Sequence, residues 1–319
     1  MNNENIMVSV ICLAFNHEKY IARALEGFVS QKTSFKYEVF VHDDASIDGT
    51  RSIIEEYAQN YPSIIKPIYQ AENQYSKKVK ITKTYISPLV NGKYIAYCEG
   101  DDYWTDCNKL QEQFDIMECH PECSMCTHTV QRVLEDGSDA KGCHPSIPMK
   151  EGRLGIQAFL DIQSKYPFQT SCFFIRKTFW LDFIMNPPEF RLVSKVGDEP
   201  MLLYMVSKGD IYYLNKMMSS YRTMSVGSWS ARQRNDPQKR IERAKWMYQM
   251  MCMYDSFTDH QYDCHLLKYK CILLRFEGKY KEIIKRENRE YIKELSLLKR
   301  IYIYVCAIFP FVQKIFKVK

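Results

Sequence analysis

A chain of 319 residues, 46% hydrophobic and 26% charged, can bury a substantial core in one large domain or two. With only 12 Gly and 12 Pro, no low-complexity stretch and no internal repeat, the composition excludes a fibrous or disordered chain, and the 14% aromatic content favours a packed fold with side chains suited to sugars and bases. The net charge of +6 is weighted toward the last third; it points to an anionic surface or ligand and is too modest to argue for nucleic acid.

Residues 6–15 form a nearly continuous apolar run, the signature of a central parallel strand, and stop at Asn16-His17-Glu18. Ile21, Leu25, Phe28 and Val29 then recur at helical spacing. A second buried strand at residues 37–42 ends in the polar turn Asp43-Asp44-Ala45-Ser46-Ile47-Asp48-Gly49-Thr50, before a helix carrying Ile53, Ile54 and Tyr57. A third apolar segment covers residues 64–69. A lysine-rich stretch (Lys77, Lys78, Lys80, Lys83) precedes a predicted helix ending near Asn91-Gly92. Tyr94-Ile95-Ala96-Tyr97-Cys98 is a fourth buried strand, and it runs directly into Glu99-Gly100-Asp101-Asp102-Tyr103-Trp104. Strand and helix alternating at this spacing predict βαβ units in a parallel sheet. No G-x-G-x-x-G and no Walker loop follows the first strand, which disfavours a dehydrogenase or a P-loop enzyme.

The acidic turn at 99–102 organises the reading. Carboxylates at a strand's carboxyl end are costly to bury without a cation, ligands bind there in open α/β sheets, and hard oxygen donors suit Mg²⁺ or Mn²⁺ on a phosphate-bearing substrate. A paired acid on one strand end is easily a cap for the next helix. Two such pairs, Asp43/Asp44 and Asp101/Asp102, on strands expected to be neighbours, are expected to converge on one site.

Val8-Ser9-Val10-Ile11-Cys12-Leu13-Ala14-Phe15-Asn16, the turn from Asp43 to Thr50, and the stretch from Gly92 to Trp104 together resemble the family 2 glycosyltransferases, most closely bacterial enzymes building capsular or lipopolysaccharide chains. The likeness in order, spacing and strand context covers about the first 130 residues. It implies an α/β GT-A fold: a Rossmann-like, mostly parallel central sheet flanked by helices, over residues 1–235, with a helical C-terminal extension over 236–319. It also implies roles. Leu13, Ala14 and Asn16 would meet the nucleotide base through backbone groups, and Asp44 would accept a hydrogen bond from uracil, with Asp43 shaping the turn. Asp102 would ligate Mn²⁺ or Mg²⁺ on the diphosphate, with Asp101 as a second contact near the ribose, sugar or metal. Glu99 is left unassigned. Lys77, Lys78 or Lys80, Lys78 first among them, would add positive charge at the phosphates.

Further along, Leu110, Phe114 and Met117 make one helical face, with Trp104 read as packing. Strands are expected at residues 124–134 and 170–175, with Thr170 and Ser171 beginning the latter under the acceptor pocket. In Val196-Gly197-Asp198-Glu199-Pro200 the proline suits a helix's first turn and Asp198 its N-cap. The resemblance places an acidic residue at such a helix start, making Asp198 the general base of an inverting transfer, with Glu199 in reserve. Tyr221, Arg222, Gly227 and Trp229 fit a donor-covering loop in which Met224 stands where relatives often have His; Arg222 would pair with the diphosphate or with a structural carboxylate.

From Asp236 the chain reads as helical, over residues 241–254, 260–276 and 280–298. A twelve-residue apolar and aromatic run between Lys299/Arg300 and Lys314 is too short to span a bilayer and suits an interfacial helix on an anionic leaflet, or a helix docked on protein. The N-terminus shows no basic or apolar leader, so the expected location is cytoplasmic, peripheral at the inner face of the membrane, with the twelve cysteines reduced. Cys119-His120, Cys123, Cys126, His128 and Cys143-His144 have partial zinc-ligand spacing, but paired C-x-x-C units are absent. The expected partners are a nucleotide-sugar donor and a glycan or lipid-linked acceptor, with a homo-oligomer left open. The rival functions are a sugar nucleotidyltransferase and a non-catalytic nucleotide- or sugar-binding protein on the same fold.

Overall fold

In the computed structural model, which describes residues 6–164, 167–223 and 236–312, strand β1 (Ile6–Ala14) lies between two parallel neighbours. These are β2 (Lys36–Asp43) and β4 (Tyr94–Tyr97). Covered on both edges and both faces, β1 carries the unbroken buried run Val8 to Cys12 in place of an alternating pattern. Helices α1 (Ile21–Val29) and α2 (Thr50–Asn60) make the crossovers, and β3 (Ile65–Tyr69) extends the parallel set beyond β2. One stripe of α1 (Ile21, Ala24, Leu25, Phe28) is fully buried in the same core as Val8, Val10 and Cys12.

Beyond β4 come β5 (Tyr103–Trp104), α3 (Lys109–Cys119), β6 (Cys123–Val133), β7 (Asp139–His144), β8 (Gly152–Leu154), α4 (Ile156–Gln163), β9 (Phe174–Arg176) and α5 (Lys177–Met185). After α6 (Glu189–Val193) and α7 (Asp198–Lys208), β10 (Asp210–Arg222) completes the sheet, in the order β3-β2-β1-β4-β9-β6-β10-β5. The parallel half expected from the apolar runs is present. The other half is mixed: β9 is antiparallel to both β4 and β6, while β6 and β10 run parallel.

Two local expectations change. The lysine-rich segment before Asn91 forms turns and a single π-helical turn at Thr82–Ile86 rather than an α-helix. Its Ile and Thr residues are stiff, and Pro88 brings no amide N–H to continue a helical ladder, although Ser87 before it is itself helical at φ −57°, ψ −30°. Thr170 and Ser171 sit in a 3₁₀ turn (Thr170–Cys172), so β9 begins only at Phe174; the Ser171 carbonyl accepts the Trp104 indole N–H at 3.1 Å instead of joining a ladder.

The chain forms two compact units, one of residues 1–187 and 201–226, the other of residues 188–200 and 227–319. The inner stretch 188–200 groups with the C-terminal helices, a join the linear reading did not anticipate. The second unit contains α8 (Pro237–Phe257), α9 (Leu266–Phe276), α10 (Tyr280–Ile283), α11 (Arg289–Glu294) and α12 (Leu297–Ile308). Asp236 caps α8 by accepting from the amides of Gln238 and Lys239, with Pro237 in the first turn. The single helix expected over residues 280–298 is instead broken, because the buried Asn288 side chain donates to the Glu282 carbonyl at 2.7 Å and fixes a turn.

Gly92, at the foot of β4, leaves no room for a side chain. A Cβ there would lie 2.4 Å from the Ser9 nitrogen and 2.7 Å from the Val8 carbonyl carbon, both backbone atoms. Its amide donates to Ser9 Oγ at 2.9 Å, and that hydroxyl donates to the buried Glu38 at 2.6 Å. Gly92→Ala is expected to destabilise the fold by about 3 kcal/mol. The check is a urea midpoint lowered at constant m-value.

Candidate active site

The site begins where β1 ends. Past its last ladder residues β4 keeps contact with β1: Cys98 N–H donates to the Ile11 carbonyl at 3.1 Å and Gly100 N–H to the Leu13 carbonyl at 2.9 Å. Those two bonds deliver Glu99, Asp101 and Asp102 to the carboxyl edge of the sheet, beside residues 13–17. Gly100 is needed for the close approach, since a Cβ would come within 2.8 Å of His17 Nδ1 and 3.2 Å of Ala14 Cβ.

Glu99, Asp101 and Asp102 each offer a carboxylate oxygen, and the three lie within 4.8 Å of one another. Asp102 is buried, Asp101 half-buried and Glu99 exposed. Burial, reinforced by the charges of Asp101 and Glu99, pushes the Asp102 carboxyl well above the usual carboxylate range; the Arg222 amide, donating to Asp102 Oδ1 at 2.9 Å, opposes this. Three acids crowded at a half-covered edge repel one another and favour a cation among them. All-oxygen donors of this kind fit a hard divalent ion, with Asp102 and Asp101 as the expected ligands and Glu99 as a third donor. Among the described residues this is the only such grouping of acids, histidines and cysteines; residues 119–144 form none, and Cys123, Cys126 and His128 are buried strand residues.

The β2 turn is largely self-contained. Asp43 accepts from the Ser46 hydroxyl and amide, which shapes the turn as expected. Asn16, with φ of 56°, exchanges bonds with the same loop: its amide donates to Ser46 Oγ at 2.9 Å and its Oδ1 accepts from the Ile47 amide at 3.0 Å. Asp44 is buried, and each of its oxygens accepts one backbone amide, from Gln74 at 2.8 Å and from Tyr75 at 3.0 Å. Asp44 thus anchors the loop that carries Lys78, and each oxygen keeps a lone pair for a ligand. Lys78 and Lys80 are exposed; Lys77 pairs with Glu72.

Arg222 is 4% exposed and belongs to this site rather than to a surface loop. Its guanidinium donates to the carbonyls of Asp101 and of Glu135, the latter at 3.2 Å, and lies over the rings of Tyr20 and Tyr103 at 4.8 and 4.9 Å. The guanidinium therefore holds main chain and stacks on rings. Met224, Gly227 and Trp229 lie outside the described residues. Sequence reasoning missed His17. Burial lowers its imidazole below the ordinary value, Asp101 pulling the other way, and its buried Nδ1 has no hydrogen-bond partner among the described residues. The signal available was its place in the first strand's closing turn.

Asp198 belongs to the second unit. It opens α7, with Pro200 in the first turn as expected. Enclosure by protein raises its carboxyl above the ordinary range, against the first-turn amides and the charges of Arg243 and Arg191. Glu199 is buried, and burial followed by repulsion from Asp198 raises it to about 7. Arg243 donates to Glu199 Oε1 at 2.9 Å, while Glu199 Oε2 is buried without a partner among the described residues.

A mixed sheet whose parallel half ends in an acidic, cation-fitting edge beside the first strand is a fold of GT-A type, with the ligand-binding edge of an open α/β sheet at the strands' carboxyl ends. Residues 9–183 match the sequence profile of Glycosyl transferase family 2, and the chain belongs to that family. It is 42% identical to an uncharacterized Mycobacterium tuberculosis protein over 131 residues, 41% of this chain and 37% of that protein. It is 31% identical to EpsE of Bacillus subtilis, described as a glycosyltransferase, over 46% of this chain and 58% of EpsE. The Escherichia coli enzyme WfaP, a UDP-Glc:α-D-GlcNAc-diphosphoundecaprenol β-1,3-glucosyltransferase, is 31% identical over 35% of this chain and 41% of its own length. The chain thus spans well under two thirds of these relatives. Staphylococcus aureus TarS (residues 1–349, with UDP-GlcNAc) superposes with a TM-score of 0.57 at 18% identity, over 97% of this chain and 81% of that one. The mannosyltransferase PcManGT from Pyrobaculum calidifontis, with GDP-Man and Mn²⁺, gives 0.51 at 14%, over 99% and 89%. Both share the fold.

Proposed function

We propose that this chain transfers a sugar, with inversion, from a nucleoside-diphosphate donor, in the first instance a UDP-sugar, to a hydroxyl of a glycan or lipid-linked acceptor in surface polysaccharide synthesis. The observation that carries the reading is the convergence of Glu99, Asp101 and Asp102 on the end of β1 through the Gly100–Leu13 bond. In this reading the backbone of Leu13, Ala14 and Asn16, with Asp44, receives the base, Lys78 brings positive charge to the diphosphate, and Arg222, its guanidinium held by the Asp101 and Glu135 carbonyls, adds its charge at the same edge. A divalent ion held by Asp102 and Asp101 would stabilise the charge developing on the departing nucleoside diphosphate. Asp198 takes the acceptor hydroxyl's proton as it attacks the anomeric carbon, with Glu199 in reserve. The names of TarS, WfaP and PcManGT, which carry UDP-GlcNAc, UDP-Glc and GDP-Man, support a nucleotide-sugar donor; WfaP's acceptor supports a lipid-linked one.

A thermal-shift screen of nucleoside diphosphates with and without Mn²⁺ tests this reading. A ligand that binds only the native state raises the melting temperature by mass action. UDP is expected to do so with Mn²⁺ and to lose the effect in EDTA. Equal shifts with and without metal overturn the metal assignment, and no shift with any nucleoside diphosphate overturns the donor reading.

A further inference from the structure

Helix α12 has two apolar faces. Inward, Ile303, Cys306 and Ala307 are buried in a small core with Cys271, Ile283 and Ile292. Outward, Leu297, Ile301, Tyr304 and Ile308 recur at steps of four, three and four residues and are 70%, 50%, 45% and 62% exposed. Phe309 and Phe311 extend the patch past the helix end, both exposed. A helix docked on its own core normally turns charge to water on that side. Here, from Leu295 to the end of the sequence, no Asp or Glu occurs, and residues 236–319 hold 18 Lys and Arg against 10 Asp and Glu, while the preceding 235 hold 26 against 28.

We propose that this outer face of α12 lies in the interface of an anionic lipid surface, with Leu297, Ile301, Tyr304, Ile308, Phe309 and Phe311 in the headgroup–acyl boundary and the exposed Lys299 on the acidic headgroups. No described helix is long and apolar enough to cross a bilayer, so the contact is peripheral. A second copy is the poorer occupant. A two-fold interface would set two helices that carry Lys299 and Arg300 and no Asp or Glu against each other, whereas acidic headgroups complement them. The inference goes beyond sugar transfer and needs neither donor nor acceptor, so its test is independent of that reading.

The test is flotation of the full chain with vesicles of phosphatidylcholine alone and of phosphatidylcholine containing about one third phosphatidylglycerol. Binding is expected only to the anionic vesicles, weakening as salt rises. Ile301→Gln with Ile308→Gln is expected to lower the bound-to-free ratio at least about tenfold. Both positions are exposed, so the variant should melt with the wild type; if it does not, Phe311→Ser, beyond the helix, takes its place. Equal binding by wild type and variant overturns the proposal, as does no binding to anionic vesicles. A wild-type dimer in light scattering that the double variant converts to monomer, without lipid binding, assigns the face to a second copy and also overturns it.

Discussion

Asp102→Asn is expected to lower kcat/KM for sugar transfer by about a thousandfold, ~4 kcal/mol of transition-state stabilisation, and to abolish the Mn²⁺-dependent shift by UDP. The substitution isolates charge from shape. Asparagine keeps an Oδ1 that can accept the Arg222 amide, now held at 2.9 Å, so β10 remains tied to the acidic turn. What is lost is the buried anion that a metal would neutralise. The native state disfavours that anion, because burial, Asp101 and Glu99 raise its carboxyl. A carboxyl raised on folding costs stability once pH is above its unfolded value, so at neutral pH the ligand-free variant should melt no lower than the wild type. A variant that is as stable as wild type, transfers sugar normally and still shows metal-dependent UDP binding would remove Asp102 from the site. Glu99→Gln, at the exposed edge of the cluster, is expected to cost about tenfold.

The parts of the site that could be read from sequence are those where a single segment carries the whole signal. Residues 6–14 and 94–97 are apolar without alternation because both of their edges are paired, and each run stops at a polar turn, so the run and its chemistry are adjacent in the chain. What was not legible depends on distant pairing. Arg222 meets Asp102 across 120 residues, and no local pattern tells a β-strand arginine that stacks between two tyrosines from one on a surface loop. Asp44 reads as a free acid, but both its oxygens hold a loop thirty residues on. Lys109 is the sharpest case. At the start of an amphipathic helix it reads as solvated, and yet it is fully buried, over the Trp104 ring at 4.1 Å and donating to Gln113 at 2.7 Å, with burial lowering its ammonium to about 8. The mixed half of the sheet was hidden for a similar reason: β9 is three residues long, and its antiparallel neighbours β4 and β6 are set by topology.

Asp198→Asn is expected to lower kcat by about a thousandfold while leaving the donor KM and the UDP–Mn²⁺ thermal shift unchanged. That separation from Asp102→Asn follows from the roles. A base acts only as the acceptor hydroxyl loses its proton, whereas a metal ligand also holds the bound donor. The pH dependence carries a sign. The Asp198 carboxyl is raised, so it stays protonated to a higher pH than an ordinary aspartate, and a protonated carboxyl accepts no proton. The wild-type kcat should therefore fall as pH drops through that raised value and level off above it, and the limb should vanish in Asp198→Asn. Glu199, at about 7, titrates in the neutral range and would give a limb of its own if it were the base. Its carboxylate is already engaged by Arg243, so Glu199→Gln is expected to cost less than about tenfold. If Glu199→Gln is the more damaging substitution and removes the limb, the base is Glu199 and Asp198 is the helix-opening residue whose charge adds to the burial that raises it.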